Sequence, residues 1–229
     1  MEQSMMLDAT PEPIAIIPSQ SAVIVVDMQN DFGSTGGMFD RAGIDISGIQ
    51  RAVSPTARAL AGGRALGMKI IYLKMGYRPD LSDLGSSDAR NRLIHVRFGV
   101  GQTVTSSDGR ESRVLIRDTW GTDIVKELAP RVEDIVMYKT RFSGFYGTDL
   151  DSVLKTAGTN TLIVTGCTTS VCVESTIRDA FFRDYRCVLL TDCTSEPVGD
   201  GMSRSNHDAS LLLINVMFGW LSTSEQFLA

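Results

Sequence analysis

Two short runs, AVIVVD at residues 22–27 and TLIVT at residues 161–165, are dense in apolar and β-branched residues at successive positions. Neighbouring side chains of a strand point to opposite faces, so such a run has to be covered on both sides. Shorter runs of the same kind stand at residues 68–73, 135–138 and 187–190, and residues 114–116 offer one more. Between and after them, residues 49–66, 122–128, 150–156, 170–184 and about 203–218 carry apolar positions near helical spacing. Buried strands alternating with amphipathic helices predict an α/β chain. The expected form is a three-layer, doubly wound sheet, mostly parallel, of about six strands with helices on both faces.

A chain of 229 residues that is 43% hydrophobic suffices for one substantial domain, expected over residues 19–229. Residues 1–18, with their prolines and a glutamine, read as a loose amino-terminal arm. Residues 74–118 are rich in Gly, Ser, Asp and Arg and weakly periodic, as a long loop or lid would be. A net charge of −5 argues against nucleic acid or an acidic membrane as partner and favours a small molecule. No targeting pattern opens the chain and no apolar stretch is long enough to span a bilayer, so the expected location is cytoplasmic. The cysteines at 167, 172, 187 and 193 form no CxxC pair, and His95 and His207 belong to no ligand-spaced pattern. Neither a metal nor another cofactor is expected.

The run TLIVTGCTTSVCVESTIRDA carries a strand through a small polar turn into a helix and sets Cys172 on that helix's first turn. Free N–H groups and the partial positive charge of a helix start stabilise a thiolate and can receive an oxyanion. Open parallel sheets bind ligands beyond the carboxyl ends of their strands. Asp27 closes the first strand and Lys139 follows the third, so both belong to the same edge as Cys172. A carboxylate, an ammonium and a thiol buried together are costly unless they pair. Paired, they make chemistry: Asp27 accepts the thiol proton and returns it to a leaving amine, while Lys139 balances the charge and lowers the thiol pKa.

VVDMQNDF, the Lys139 of IVMYKTRFSGF and GCTTSVCVESTIRDA together resemble the isochorismatase-like cysteine hydrolases, with similarity over residues 21–220. Within that family QSAVIVVDMQN, GGMFDRAGIDIS, RFSGFYGTDLDSVL and TSVCVESTIRDAFF are similar to the ureidoacrylate amidohydrolase group, and YRPDLSDL resembles the biuret hydrolase group. The resemblance implies a catalytic triad of Asp27, Lys139 and Cys172. It also implies a non-proline cis peptide between Cys167 and Thr168, an oxyanion hole from the backbone N–H groups of Thr168 and Cys172, and a homo-oligomer. Nicotinamidases of this fold carry a metal-binding aspartate with two histidines after the second strand, where this chain has LKMGYRPD; true isochorismatases lack the cysteine. A thiol nucleophile implies C–N hydrolysis through a carbamoyl- or acyl-thioester.

A small planar ureide fits between aromatic rings, and Phe32, Tyr77, Trp120, Phe145 and Tyr146 stand beside strand ends or in the long segment. Arg78, Arg97 and Arg141 are candidates to grip a substrate carboxylate. Where the ureidoacrylate group has a polar amide and a tryptophan after the second strand, this chain has Met75 and Tyr77. The leading expectation is a cysteine-dependent amidohydrolase of small linear amides or ureides, ureidoacrylate-like compounds first. Biuret or an N-carbamoyl amino acid is the alternative substrate. A reading of another class is a non-hydrolytic thiol, redox or binding protein on the same fold, which a Cys172–Cys167 or Cys172–Cys193 disulfide would mark.

Overall fold

The computed structural model describes residues 4–199 and 205–229. An antiparallel hairpin, β1 (Met5–Leu7) and β2 (Ile14–Ile16), precedes β3 (Ser21–Val26) and β4 (Lys69–Met75). A second hairpin, β5 (Thr103–Thr105) and β6 (Glu111–Arg113), comes before β7 (Ile135–Lys139), β8 (Thr161–Cys167), β9 (Arg186–Ser195) and β10 (Trp220–Ser222). Six of these make one sheet in the order β10-β9-β8-β3-β4-β7, with every neighbouring pair parallel. The chain winds outward from β3 in both directions, which puts the switch point of the sheet beside β3 and gathers the strand ends there.

The helices are α1 (Asn30–Gly33), α2 (Met38–Arg41), α3 (Ser47–Ala65), α4 (Arg90–Arg97), α5 (Leu150–Thr156), α6 (Glu174–Phe181), α7 (Asn206–Leu213) and α8 (Ser224–Leu228). Strand alternation sorts the core into two layers. Val23, Val25, Ile70, Tyr72 and Ile163 pack with Ile49, Ala59 and Leu60 of α3 on one face. Ala22, Ile24, Val26, Ile71 and Leu162 pack with Leu150 and Leu154 of α5 and with Ile177 and Ala180 of α6 on the other. Each side chain of this size taken fully out of water contributes about 1.5–3 kcal/mol, which is why strands apolar on both faces lie in the middle of the sheet.

Five expectations need correction. The amino-terminal segment is no loose arm: Leu7, Ile14 and Ile16 are buried, and Thr10 exchanges backbone hydrogen bonds with Leu221 at 2.9 and 3.0 Å. The alternation of Ile14-Ala15-Ile16 buries one face of that hairpin; residues 1–3 lie outside the described residues. Residues 74–118, expected as a long loop or lid, hold α4 and the β5–β6 hairpin as well as buried Tyr77, Leu84, His95 and Leu115. Within them, residues 114–116 form no strand; Leu115 takes a left-handed φ of 51° and only Ile116 bridges to Tyr77.

The expected helix at residues 122–128 is replaced by two 3-10 turns, Trp120–Thr122 and Lys126–Leu128. The Val125 N–H donates to Met28 O at 3.0 Å, and Gln29 bridges Ile124, so tertiary pairing holds the intervening residues extended. Finally, residues 170–184 begin as a π-helical turn, Thr169–Val173, before α6. The start of the last expected helix, at Ser203, lies outside the described residues; α7 begins after Ser205, whose hydroxyl accepts the Asp208 N–H.

Candidate active site

β3 and β4 end together: Val26 pairs with Leu73, and the Asp27 N–H donates to Leu73 O at 2.9 Å. Asp27 then takes a φ of 52°, a left-handed conformation that aspartate tolerates better than most side chains, and the chain leaves the sheet. On one side, β7 pairs with β4 so that Lys139 stands beside Met75. Lys139 Nζ passes Met75 Sδ at 3.7 Å and donates to Asp27 Oδ2 at 2.7 Å and to Arg141 O at 3.3 Å.

On the other side, β8 sets Gly166 opposite Val26, and Cys167 Sγ donates to Asp27 O at 3.2 Å. Gly166 has a φ of 114°, and a Cβ there would lie 2.0 Å from Val26 O, so only glycine lets the strands approach this closely. The Cys167–Thr168 peptide is cis. Thr168 O then accepts the N–H groups of Val171 and Val173 at 3.2 Å, closing the turn that carries Cys172. Behind that turn, buried Glu196 accepts both the Ser170 N–H, at 2.8 Å, and the Ser170 hydroxyl.

Asp27 and Lys139 are each 1% exposed and Cys172 is 7% exposed. Burial raises the Asp27 carboxyl above the usual carboxylate range, with the Lys139 ammonium opposing it. Burial also pulls on Lys139, yet the paired Asp27 carboxylate, with the Cys172 sulfur beside it, outweighs that pull and raises the ammonium above its usual range. The Cys172 thiol is pushed well up by burial; Lys139 opposes this and Asp27 reinforces it. Burial at this site outweighs the lowering of the thiol pKa expected from Lys139 and the turn. Asp27 Oδ1 accepts no hydrogen bond among the described residues, and the nearby Cys172 thiol bears directly on the carboxyl's proton affinity.

Asp27, Thr168 and Cys172 line a cavity of about 380 Å³. Its apolar wall is aromatic: Phe32, Phe39, Phe98 and Phe142, together with Met75. Of the ring and arginine candidates, Phe32 and Arg97 line it and the others do not. Tyr77 is buried away from it, donating its O–H to Thr140 O at 3.3 Å and accepting from Asn91 Nδ2 at 3.2 Å. Trp120 lies in its own turn, where its carbonyl accepts from Asn30 Nδ2 at 2.8 Å. Phe145 packs into the opposite core layer under the Arg183 guanidinium, because the Gly144 N–H is tied to Thr176 Oγ1 and Ser143 to Asp179. Tyr146 is 58% exposed beneath Arg141, whose guanidinium donates to Thr140 O and Asp83 O. Arg78 is exposed and off the wall.

Residues missed in the sequence include three of α4, Arg90, Ile94 and His95, which line the cavity beside the expected Arg97. His95 is buried, with Nδ1 2.7 Å from Asn91 O. A carbonyl only accepts, so Nδ1 carries the hydrogen and Nε2 is left as a bare acceptor. Burial lowers the His95 pKa, and the charges of Lys139 and Arg141 add to that effect, so the ring is neutral. The helical pairing of Asn91 with His95 is the one signal in the sequence that points to this arrangement. Among the described residues no group of three His, Cys, Asp or Glu side chains is placed to hold a metal, and all four cysteines are unpaired.

A sulfur, a carboxylate and an ammonium meeting at the switch point of a doubly wound sheet define a hydrolase-type site at a strand edge. The chain belongs to the isochorismatase family, whose domain matches residues 21–226. It is 40% identical over 223 residues to the ureidoacrylate amidohydrolase RutB of Yersinia enterocolitica, covering 97% of this chain and 94% of that protein. It is 39% identical over 221 residues to the protein of the same name from Methylobacterium radiotolerans, covering 96% and 83%. Among solved structures, a cysteine hydrolase from Pseudomonas syringae pv. phaseolicola superposes with a TM-score of 0.78 at 32% identity, covering 93% of this chain and 92% of that one. No helix among the described residues is long and apolar enough to cross a membrane.

Proposed function

We propose that this protein is a cysteine amidohydrolase that cleaves a C–N bond of a small linear ureide, ureidoacrylate first, with Asp27, Lys139 and Cys172 as its catalytic residues. The carrying observation is the Lys139–Asp27 ion pair at 2.7 Å on the same cavity as the Cys172 thiol. A raised Asp27 carboxyl is matched to taking a proton from a thiol and giving it back. In this reading Asp27 accepts the Cys172 proton as sulfur attacks the carbonyl carbon. The N–H groups of Thr168 and Cys172 receive the negative oxygen. Collapse expels the amine, which leaves with the proton from Asp27, and an acyl or carbamoyl group stays on sulfur. Water, deprotonated by Asp27, then cleaves the thioester and restores the thiol. Lys139 keeps the charge of the buried set near balance throughout.

Relatives named for ureidoacrylate support the substrate class, and a cavity of this size with aromatic walls suits a small planar ureide. The test is amine and ammonia release from ureidoacrylate, biuret, N-carbamoyl amino acids and simple amides by wild type and Cys172→Ser. Ureidoacrylate turnover that vanishes in the variant, with a thioester adduct seen by intact mass in the wild type, carries the proposal. Turnover that survives Cys172→Ser sinks it.

A further inference from the structure

α4 turns one face toward the cavity. Arg90, Ile94 and Arg97 stand at i, i+4 and i+7, which share a side of a helix, and all three line the same hollow as Cys172. Neither guanidinium has a partner: among the described residues no ion pair and no hydrogen bond involves the Arg90 or Arg97 side chain. The neighbouring cations are engaged. Lys139 is held by Asp27, Arg117 by Asp83, Arg92 by Gly85 O, and Arg141 by Thr140 O and Asp83 O.

Among the described residues the sole carboxylate on the cavity wall is Asp27, whose charge Lys139 already balances. Asp88, the nearest acidic residue along the chain, is exposed and off the wall. Neutral His95 adds no charge of its own. Two uncompensated cations facing one hollow stand against the field of a chain whose net charge is −5.

We infer that Arg90 and Arg97 are the specificity-determining pair of this site and select a ligand bearing a carboxylate. The carboxylate lies at the α4 wall while the scissile carbonyl lies against Cys172. This inference rests on the amidohydrolase reading above for its turnover arm only. Guanidinium groups suit the role because their planar donors match the two oxygens of a carboxylate. Neutral ureides such as biuret are then poor ligands, since they leave both cations without a counter-charge.

The experiment compares ureidoacrylate with its uncharged methyl ester in wild type, Arg90→Gln, Arg97→Gln, the double glutamine variant and the double lysine variant. Wild type is expected to favour the acid by about tenfold or more in kcat/KM, chiefly through KM. In the double glutamine variant that acid-to-ester ratio collapses toward one, and the lysine variant, keeping both charges, recovers part of it. Calorimetric binding of the acid to Cys172→Ala protein, with and without the arginine pair, reads the same preference with no turnover. Both arginines are exposed, and an unchanged melting temperature verifies that the variants fold. A wild type that does not distinguish acid from ester, or a double variant that keeps the preference, overturns the inference. Loss of turnover with arginine-dependent binding intact would instead overturn the amidohydrolase reading and leave this one standing.

Discussion

The Lys139 ammonium lies 2.7 Å from the Asp27 carboxylate, and both side chains are almost wholly removed from solvent. Each charge is tolerable there only because the other is present. Lys139→Met is therefore expected to cost about 3–5 kcal/mol of stability, because it strands a buried carboxylate. Turnover should fall by about a thousandfold or more. The double variant Asp27→Leu, Lys139→Met should regain most of the stability and none of the activity. Urea unfolding of the two singles and the double checks this; additive losses would show that the pair is not coupled.

Because burial raises the Cys172 thiol, its alkylation by iodoacetamide should rise steadily between about pH 7 and pH 9 without a plateau, tracking the thiolate fraction. Asp27→Asn removes the charge that reinforces the raised pKa and leaves Lys139 unopposed, so labelling at neutral pH should speed up. A plateau below about pH 8 in the wild type would show that Lys139 and the turn outweigh burial at the sulfur.

Asp31 is 2% exposed and its pKa is raised by burial from 3.8 to about 6, although it accepts the N–H groups of Leu115 and Met38 at 2.8 and 3.2 Å. The folded value exceeds the unfolded one. Its contribution is therefore fully present below pH 3.8 and lost as pH rises through about 6. Measured against Asp31→Asn, the relative stability of the wild type should fall by about 3 kcal/mol between acid and neutral pH. A difference that is flat with pH would refute the assignment.

Gly166→Ala should destabilise by about 3 kcal/mol or more, since a Cβ would lie 2.0 Å from Val26 O. Gly147 also has a positive φ, 64°, but nothing lies within 4 Å of its virtual Cβ. Gly147→Ala should cost only about 1 kcal/mol, the ordinary penalty of that conformation. Thermal melts of the two variants side by side make the comparison.

Phe142 lines the cavity and Tyr146 does not. Phe142→Ala should raise KM for ureidoacrylate about tenfold, the equivalent of a partial loss of ring burial. Tyr146→Ala, at an exposed position, should change it by less than about twofold. Equal effects would place the substrate elsewhere.

The placement of Asp27, Lys139 and Cys172 at one edge was legible because strand ends are legible. A run such as AVIVVD has to be a central strand, and parallel topology then sends every such end to the same side. The ring that faces the hollow was not legible. In RFSGFYG, Phe142, Phe145 and Tyr146 have similar chemistry, and the choice among them is made by bonds from Ser143 and Gly144 to α6. α4, with the sequence RNRLIHVR, shows little amphipathic pattern because only His95 of its residues is buried. Its polar face serves the cavity rather than the core. The amino-terminal hairpin escaped notice for a simpler reason: three-residue strands are too short for alternation to stand out.

Asp27 and Lys139 are 112 residues apart in the chain, and β4 stands between the strands that carry them. Cys172 arrives from yet another strand, β8, on the far side of β3. No short contiguous fragment of the chain therefore holds the reactive set. A nascent, nicked or half-opened molecule has its sulfur without the base and counter-charge beside it, and is chemically silent toward the amides around it. Recovery of turnover during refolding would thus act as a clock for the closing of the whole sheet, not of any one part.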